Sequence, residues 1–259
     1  MRSSLGAIVL VMLPACAGLA AEAGRTFDGH PDLSGIWQTT STANWDLQDH
    51  PAAAGPYFQL GAVGAIPSGQ GVVEGGVIPY KPEALKQKQE NFKNRWSADP
   101  EVKCYMAGIP RSNYMPDPFQ IVQTPRAILF SYEYASSNRV VNMEKKPLEA
   151  SVDTWMGTAN GHWEGDTLVV DNTGFNDLSW FDRAGDYHSD QLHVVERFSL
   201  IDSTHLNYEA TIEDPQVFTR PWKIRVTLHK NIDKNAQLTE FKCVEFVEEL
   251  LYGDVRKKK

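Results

Sequence analysis

A mostly β, single-domain fold is predicted for this 259-residue chain by three features of its sequence. From Ile121 onward apolar and polar residues alternate with period two, turn residues recur between the runs, and only one segment carries helix signals. Ile128-Leu129-Phe130-Ser131-Tyr132-Glu133-Tyr134 forms a strand, with residues 138–143 as its partner. Trp163-Glu164-Gly165-Asp166-Thr167 is a turn into Leu168-Val169-Val170-Asp171, and glycine at such a turn suits a hairpin. Residues 192–200 and 206–212 flank a short Asp202-Ser203 turn and predict a second hairpin. In Trp222-Lys223-Ile224-Arg225-Val226-Thr227-Leu228 one face is apolar and the other mostly charged. Residues 238–247 are expected to be the last strand. Short antiparallel strands, each with one wetted face, predict a closed barrel or a sandwich.

The first half of the chain is organised differently. Asp32-Leu33-Ser34-Gly35-Ile36-Trp37 precedes a polar, Thr-rich stretch, and residues 51–80 are rich in Gly, Ala and Pro with almost no periodicity. That composition predicts a long loop that covers something or moves. Pro82 opens the helix, with Leu85, Phe92 and Trp96 along one face, and Pro100 closes it. Residues 104–118 read as an extended, turn-rich crossing.

The N-terminus predicts export. Arg2 supplies a positive charge, residues 5–13 are apolar, and small residues crowd Ala15, Ala17, Gly18, Ala20 and Ala21. Residues 1–21 are therefore expected to be a signal peptide, and 22–259 one β-barrel-like domain, periplasmic or secreted. Leu13-Pro14-Ala15-Cys16 is a poor lipobox, and a membrane partner is expected only if Cys16 is lipidated. Cys104 and Cys243 then remain as an even pair in an oxidising compartment and are expected to bridge. Net charge is −8 without a long basic stripe in the fold, which argues against a nucleic-acid partner.

Chemistry is expected between Trp180 and Arg197. Asp182, Asp186, His188 and Asp190 fall in a loop entering a strand on which His193, Val195 and Arg197 share one face. Leu192, Val194, Glu196 and Phe198 share the other face. Were the first face to look into a barrel, His193 could transfer a proton, Asp182 or His188 could assist it, and Arg197 could hold an anion. The plainer reading has His193 and Arg197 facing solvent beside acidic residues. Trp180 is the candidate for stacking on a ligand, and Tyr134, Arg139, Arg111, Glu245 and Asp171 are candidate ligand contacts. A metal held by His188, His193 and Asp182 or Asp190 is disfavoured by the loop-to-strand spacing, so no metal is expected. Nor is a cofactor. The chain has no GxSxG elbow, P-loop, or GxGxxG after a strand.

Two resemblances sharpen these expectations. Gly35-Ile36-Trp37 resembles the GxW motif that opens the first strand of lipocalin-like (calycin) barrels, where the Trp closes the barrel floor. This implies an antiparallel lipocalin-like β-barrel with one short helix and a long N-terminal loop. A longer series comprises Trp155-Met156-Gly157, residues 161–171, Thr173-Gly174-Phe175-Asn176, His188-Ser189, residues 192–198 and Thr219-Arg220-Pro221-Trp222. It resembles a family of uncharacterised exported β-domain proteins of soil-type bacteria. The resemblance covers most of the chain after the leader and implies export and one β domain, without an activity. The combined expectation is a barrel that processes a small organic molecule by acid/base chemistry, as a lyase, isomerase or hydrolase. The alternatives are a lipocalin-type binding protein and an envelope lipoprotein with an interaction role.

Overall fold

Alternation along the second half of the chain produces a closed ring of strands. A computed structural model describes residues 24–255; the expected signal peptide and Cys16 lie outside the described residues. Nine strands follow one another around a barrel in chain order. They are β1 (Gly35–Thr39), β2 (Phe119–Gln123), β3 (Ala127–Tyr132), β4 (Asn138–Asn142), β5 (Thr158–Glu164), β6 (Thr167–Thr173), β7 (His193–Leu200), β8 (His205–Glu213) and β9 (Trp222–Lys230). β9 pairs back onto β1 and closes the ring. Gly165 sits at φ 58° in the β5–β6 turn, a conformation that side chains with a Cβ rarely adopt.

One neighbouring pair departs from the wholly antiparallel expectation. β4 and β5 are parallel, because residues 143–157 carry the chain back to the end where β4 began. The inward face of the ring is packed solid. Trp37, Phe119, Phe130, Phe198, Tyr208 and Leu228 are among its fully or almost fully buried side chains. The lumen is thus a core, not a ligand chamber. The Trp37 indole donates to the Leu33 carbonyl (2.8 Å), and the Lys230 ammonium lies 5.4 Å from its ring centroid.

One end of the barrel carries a cap. Residues 40–118 leave β1 and re-enter at β2 on the same end, where the 174–192 and 214–221 connections also lie. Within the cap, α1 (Pro82–Ala98) starts with proline at its first turn, as expected. Its buried residues are Ala84 and Asn91, whereas Leu85 and Phe92 are 42% and 44% exposed. The expected apolar face is therefore not the docking face. Asn91 donates to the Gly185 carbonyl, while the Arg95 guanidinium covers Phe92 at 3.8 Å.

Residues 104–118 are a plug, not an extended crossing. Ile109, Arg111, Ser112, Asn113, Tyr114 and Met115 are all buried, with a short 3-10 turn at Arg111–Tyr114. Gly108 has φ 73°, and a Cβ there would stand 2.4 Å from Ser179 Oγ, so only glycine lets the plug seat.

The expected last strand is absent. Residues 231–246 are irregular, then comes α2 (Val247–Tyr252), which makes two α-helices instead of one among the described residues. A barrel already closed by β9 and β1 has no free edge for another strand. The tail is held instead by the Cys104–Cys243 disulfide, the Phe246 amide donating to Val102 O (2.9 Å), and Phe241 against Tyr134 (centroids 5.0 Å). Among the described residues, no helix is long and apolar enough to cross a membrane.

Candidate functional site

Three buried polar groups, one inside the barrel and two beneath its cap, and a cleft beside the cap differ from the site expected on β7. Alternation on that strand sends Val194, Glu196 and Phe198 inward, each fully buried. His193 and Arg197 point outward with side chains 33% and 36% exposed. The more apolar face entered the core, and the expected inward face is corrected accordingly. His193 Nε2 meets Asp171 across the sheet (3.0 Å), and Nδ1 lies 3.6 Å from Glu213. Arg197 donates to Glu164 (2.7 Å).

His188 is on the other side of the wall, buried between Phe175 and Phe181. Its Nδ1 lies 2.9 Å from the Ser189 carbonyl, which places the proton there and leaves Nε2 to accept from Ser179 Oγ (2.8 Å). Burial lowers its pKa, so the ring is neutral. His188, His193 and Arg197 therefore do not converge on a common cavity. Trp180 pairs with Tyr187 in an isolated bridge away from the cleft, and Glu245 is exposed on the irregular tail.

Inside the barrel the hub is Glu196. It accepts from Asn113 Nδ2 (2.6 Å), Asn172 Nδ2 (2.9 Å), Tyr208 OH (2.9 Å) and both terminal nitrogens of Arg139. Tyr132 donates to Asn113 Oδ1 (2.9 Å). Arg139, expected to contact a ligand, is thus committed to the core. Burial disfavours its charge, but Glu196 outweighs that and raises its pKa.

The second group lies beneath the cap. Arg111 donates to Asn44 Oδ1 (2.8 Å), to both Asp99 oxygens (2.9 and 3.2 Å) and to Glu101 Oε2 (2.6 Å). Arg183 donates to the same Glu101 from the other side. Burial works against the Glu101 carboxylate, but the Arg183 and Arg111 guanidiniums hold it down to about 2. This sets a pH window. A folded pKa below the ordinary 4.5 means that Glu101 stabilises the fold above that value and loses the contribution as pH falls from 4.5 towards 2. That loss is expected to be on the order of 3 kcal/mol, lessened by Asp99, which burial shifts the opposite way. Urea titrations at pH 5 and pH 2.5 check it: Glu101→Gln should show the shallower fall.

A third group, Asp46, Asp182 and Asp186, sits next to the second. Asp182 was expected to orient a catalytic histidine. Instead its carboxylate accepts from the amides of Leu47 (2.8 Å) and Asp186 (3.1 Å), tying two cap segments together. Burial, then the charges of Asp186 and Asp46, push its carboxyl well above the ordinary range.

The cleft lies between the cap, the barrel rim and the tail, and has a volume of about 450 Å³. Trp45, Trp96, Tyr57, Tyr134 and Phe241 supply its aromatic surface. Asp99, Glu101 and Arg183 form part of its lining, with Arg183 stacked 4.2 Å from the Trp45 centroid. Asp117 lines it too, just before β2. It has no hydrogen-bond or ion-pair partner outside its own backbone among the described residues. Burial, then the nearby Glu133 and Glu101 charges, raise its pKa. Of the ligand-contact residues expected from sequence, Tyr134 is the one that lines this cleft. Trp45, Trp96, Asp117 and Phe241 were missed because their shared wall comes from four segments far apart in the chain, and no local pattern brings these together. No protein-family model, curated protein or solved structure matches the chain.

Proposed function

We propose that the protein is an exported small-molecule-binding barrel whose ligand occupies the capped-end cleft, not the lumen. The observation that carries this reading is a cleft of ligand size with aromatic walls and one half-buried carboxyl, Asp117, that has no side-chain partner among the described residues. Glu101, Asp99, Arg111 and Arg183 already neutralise one another, which leaves Asp117 to select a polar group. The ligand class that fits is a flat ring bearing a hydroxyl or a basic nitrogen. Trp45 and Trp96 would stack on the ring, and Asp117 would bond the polar group.

Export and membership of the soil-bacterial β-domain family belong to this proposal, supported by the Cys104–Cys243 bond and the quoted motifs. So does the lipocalin-like assignment, supported by Gly35-Ile36-Trp37 opening β1 with Trp37 fully buried. A second reading, acid/base turnover in the same cleft, is favoured by the position of Asp117 in the cleft wall and by the burial and neighbouring Glu133 and Glu101 charges that raise its pKa, because a carboxyl whose proton is held more firmly is a better general acid. In that case Asp117 takes the place expected of His193.

Native mass spectrometry of protein from its own periplasm tests the proposal. One small molecule per chain should be released on denaturation, and Trp45→Ala and Asp117→Asn should each weaken rebinding by about tenfold. A ligand retained with equal affinity by both variants would overturn the assignment.

A further inference from the structure

Asp46, Asp182 and Asp186 each place a carboxylate oxygen within 4.8 Å of the other two. An acidic cluster alone says little, since carboxylates can share protons. Here an independent feature points to a missing partner. The Asp186 side chain is completely buried, and its Oδ2 receives no hydrogen bond. Its other oxygen accepts from Tyr80 OH (2.8 Å). The Lys88 ammonium forms an ion pair with Oδ2 at 3.7 Å, too long for a hydrogen bond. Ionising all three carboxyl groups against the one Lys88 ammonium would leave a formal excess of two negative charges in a largely buried site. An excess of that size is costly to bury without a counter-charge.

We propose that these three carboxylates form a site for a hard divalent cation of the calcium type. The donors are all oxygens, which suits Ca²⁺, Mg²⁺ or Mn²⁺ and not a thiophilic metal. A separation of up to 4.8 Å matches oxygens on opposite sides of an ion bound at about 2.4 Å, the range for Ca²⁺ and wider than Mg²⁺ accepts. Tyr80 OH, which donates to the other Asp186 oxygen, lies beside the cluster, water would supply the remaining ligands, and the half-buried Asp46 offers the way in. The ion would also have a structural consequence. Asp46 follows Trp45, and Asp182 precedes Arg183, so the ligands alternate in sequence with two residues of the cleft wall. A cation joining the two segments would hold that wall in place. The proposal stands whether or not the cleft binds a ligand.

The test is isothermal titration of the EDTA-treated full chain with CaCl₂, MgCl₂ and MnCl₂, with terbium luminescence sensitised by Tyr80 as a second readout. One Ca²⁺ per chain is expected, bound more tightly than Mg²⁺. Asp46→Asn, at the half-exposed position, should weaken binding on the order of tenfold or more. Lys88→Met removes the competing ammonium and should tighten it, a direction that a purely structural cluster would not produce. No heat and no terbium signal in either the wild type or Lys88→Met would overturn the site and identify the cluster as a proton-sharing one. So would Ca²⁺ binding unchanged in a folded Asp46→Asn variant.

Discussion

Glu196→Ala is expected to destabilise the protein by about 3–5 kcal/mol, which urea unfolding would read as a large drop in midpoint at unchanged slope. The substitution strands the Arg139 guanidinium inside the barrel and leaves Asn113, Asn172 and Tyr208 without their shared acceptor. Breaking a buried ion pair costs more than the pair itself contributes, because the surviving charge has no water to turn to. Replacing both partners, as in Glu196→Leu with Arg139→Met, should therefore be milder than Glu196→Ala alone. Equal or larger damage from the double variant would mean that the cost lies in packing and not in the orphaned charge.

The second large effect is expected from the disulfide. Cys104 and Cys243 are 139 residues apart, and the loop they close contains the barrel from β2 to β9. The chain-entropy model assigns such a loop about 5 kcal/mol, an upper figure. For a chain of this size, that is a fall in melting temperature of roughly 10–20 °C on reduction or in Cys104→Ser/Cys243→Ser. Scanning calorimetry with and without reductant would show it. The same treatment removes the covalent anchor of residues 241–249, one wall of the cleft, so ligand affinity should fall together with stability. An unchanged melting temperature would show that the bond constrains the tail and little else.

Strands were readable because a ring with one buried face must alternate, as β3, β8 and β9 do almost without exception. The helix start at Pro82 was readable for an equally local reason. Residues 238–247 also alternate, but strand formation needs an open edge, which no local pattern reveals. The direction of β7 was legible as well. Val194 and Phe198 mark the core side, and a glutamate between them is the signal of a buried polar hub. His193 and Arg197 lie on the wetted face, the plainer of the two readings their pattern allowed, because the apolar density of the opposite face decides which side turns inward. The cleft was not legible. Trp45, Trp96, Asp117 and Phe241 meet only after the cap folds back on the rim and the tail is pinned across it.

The parallel link between β4 and β5 makes the ring unequal around its circumference. Only two residue pairs join these strands, against eight between β7 and β8. Mechanically the barrel is a strip with a clasp. Arg139 fastens that clasp, reaching from β4 past β5 to Asn172 on β6 and Glu196 on β7. The buried charge thus sits beside the joint with the fewest backbone pairs, so that the Arg139 bonds to Asn172 and Glu196 reinforce the ring where its ladder is shortest.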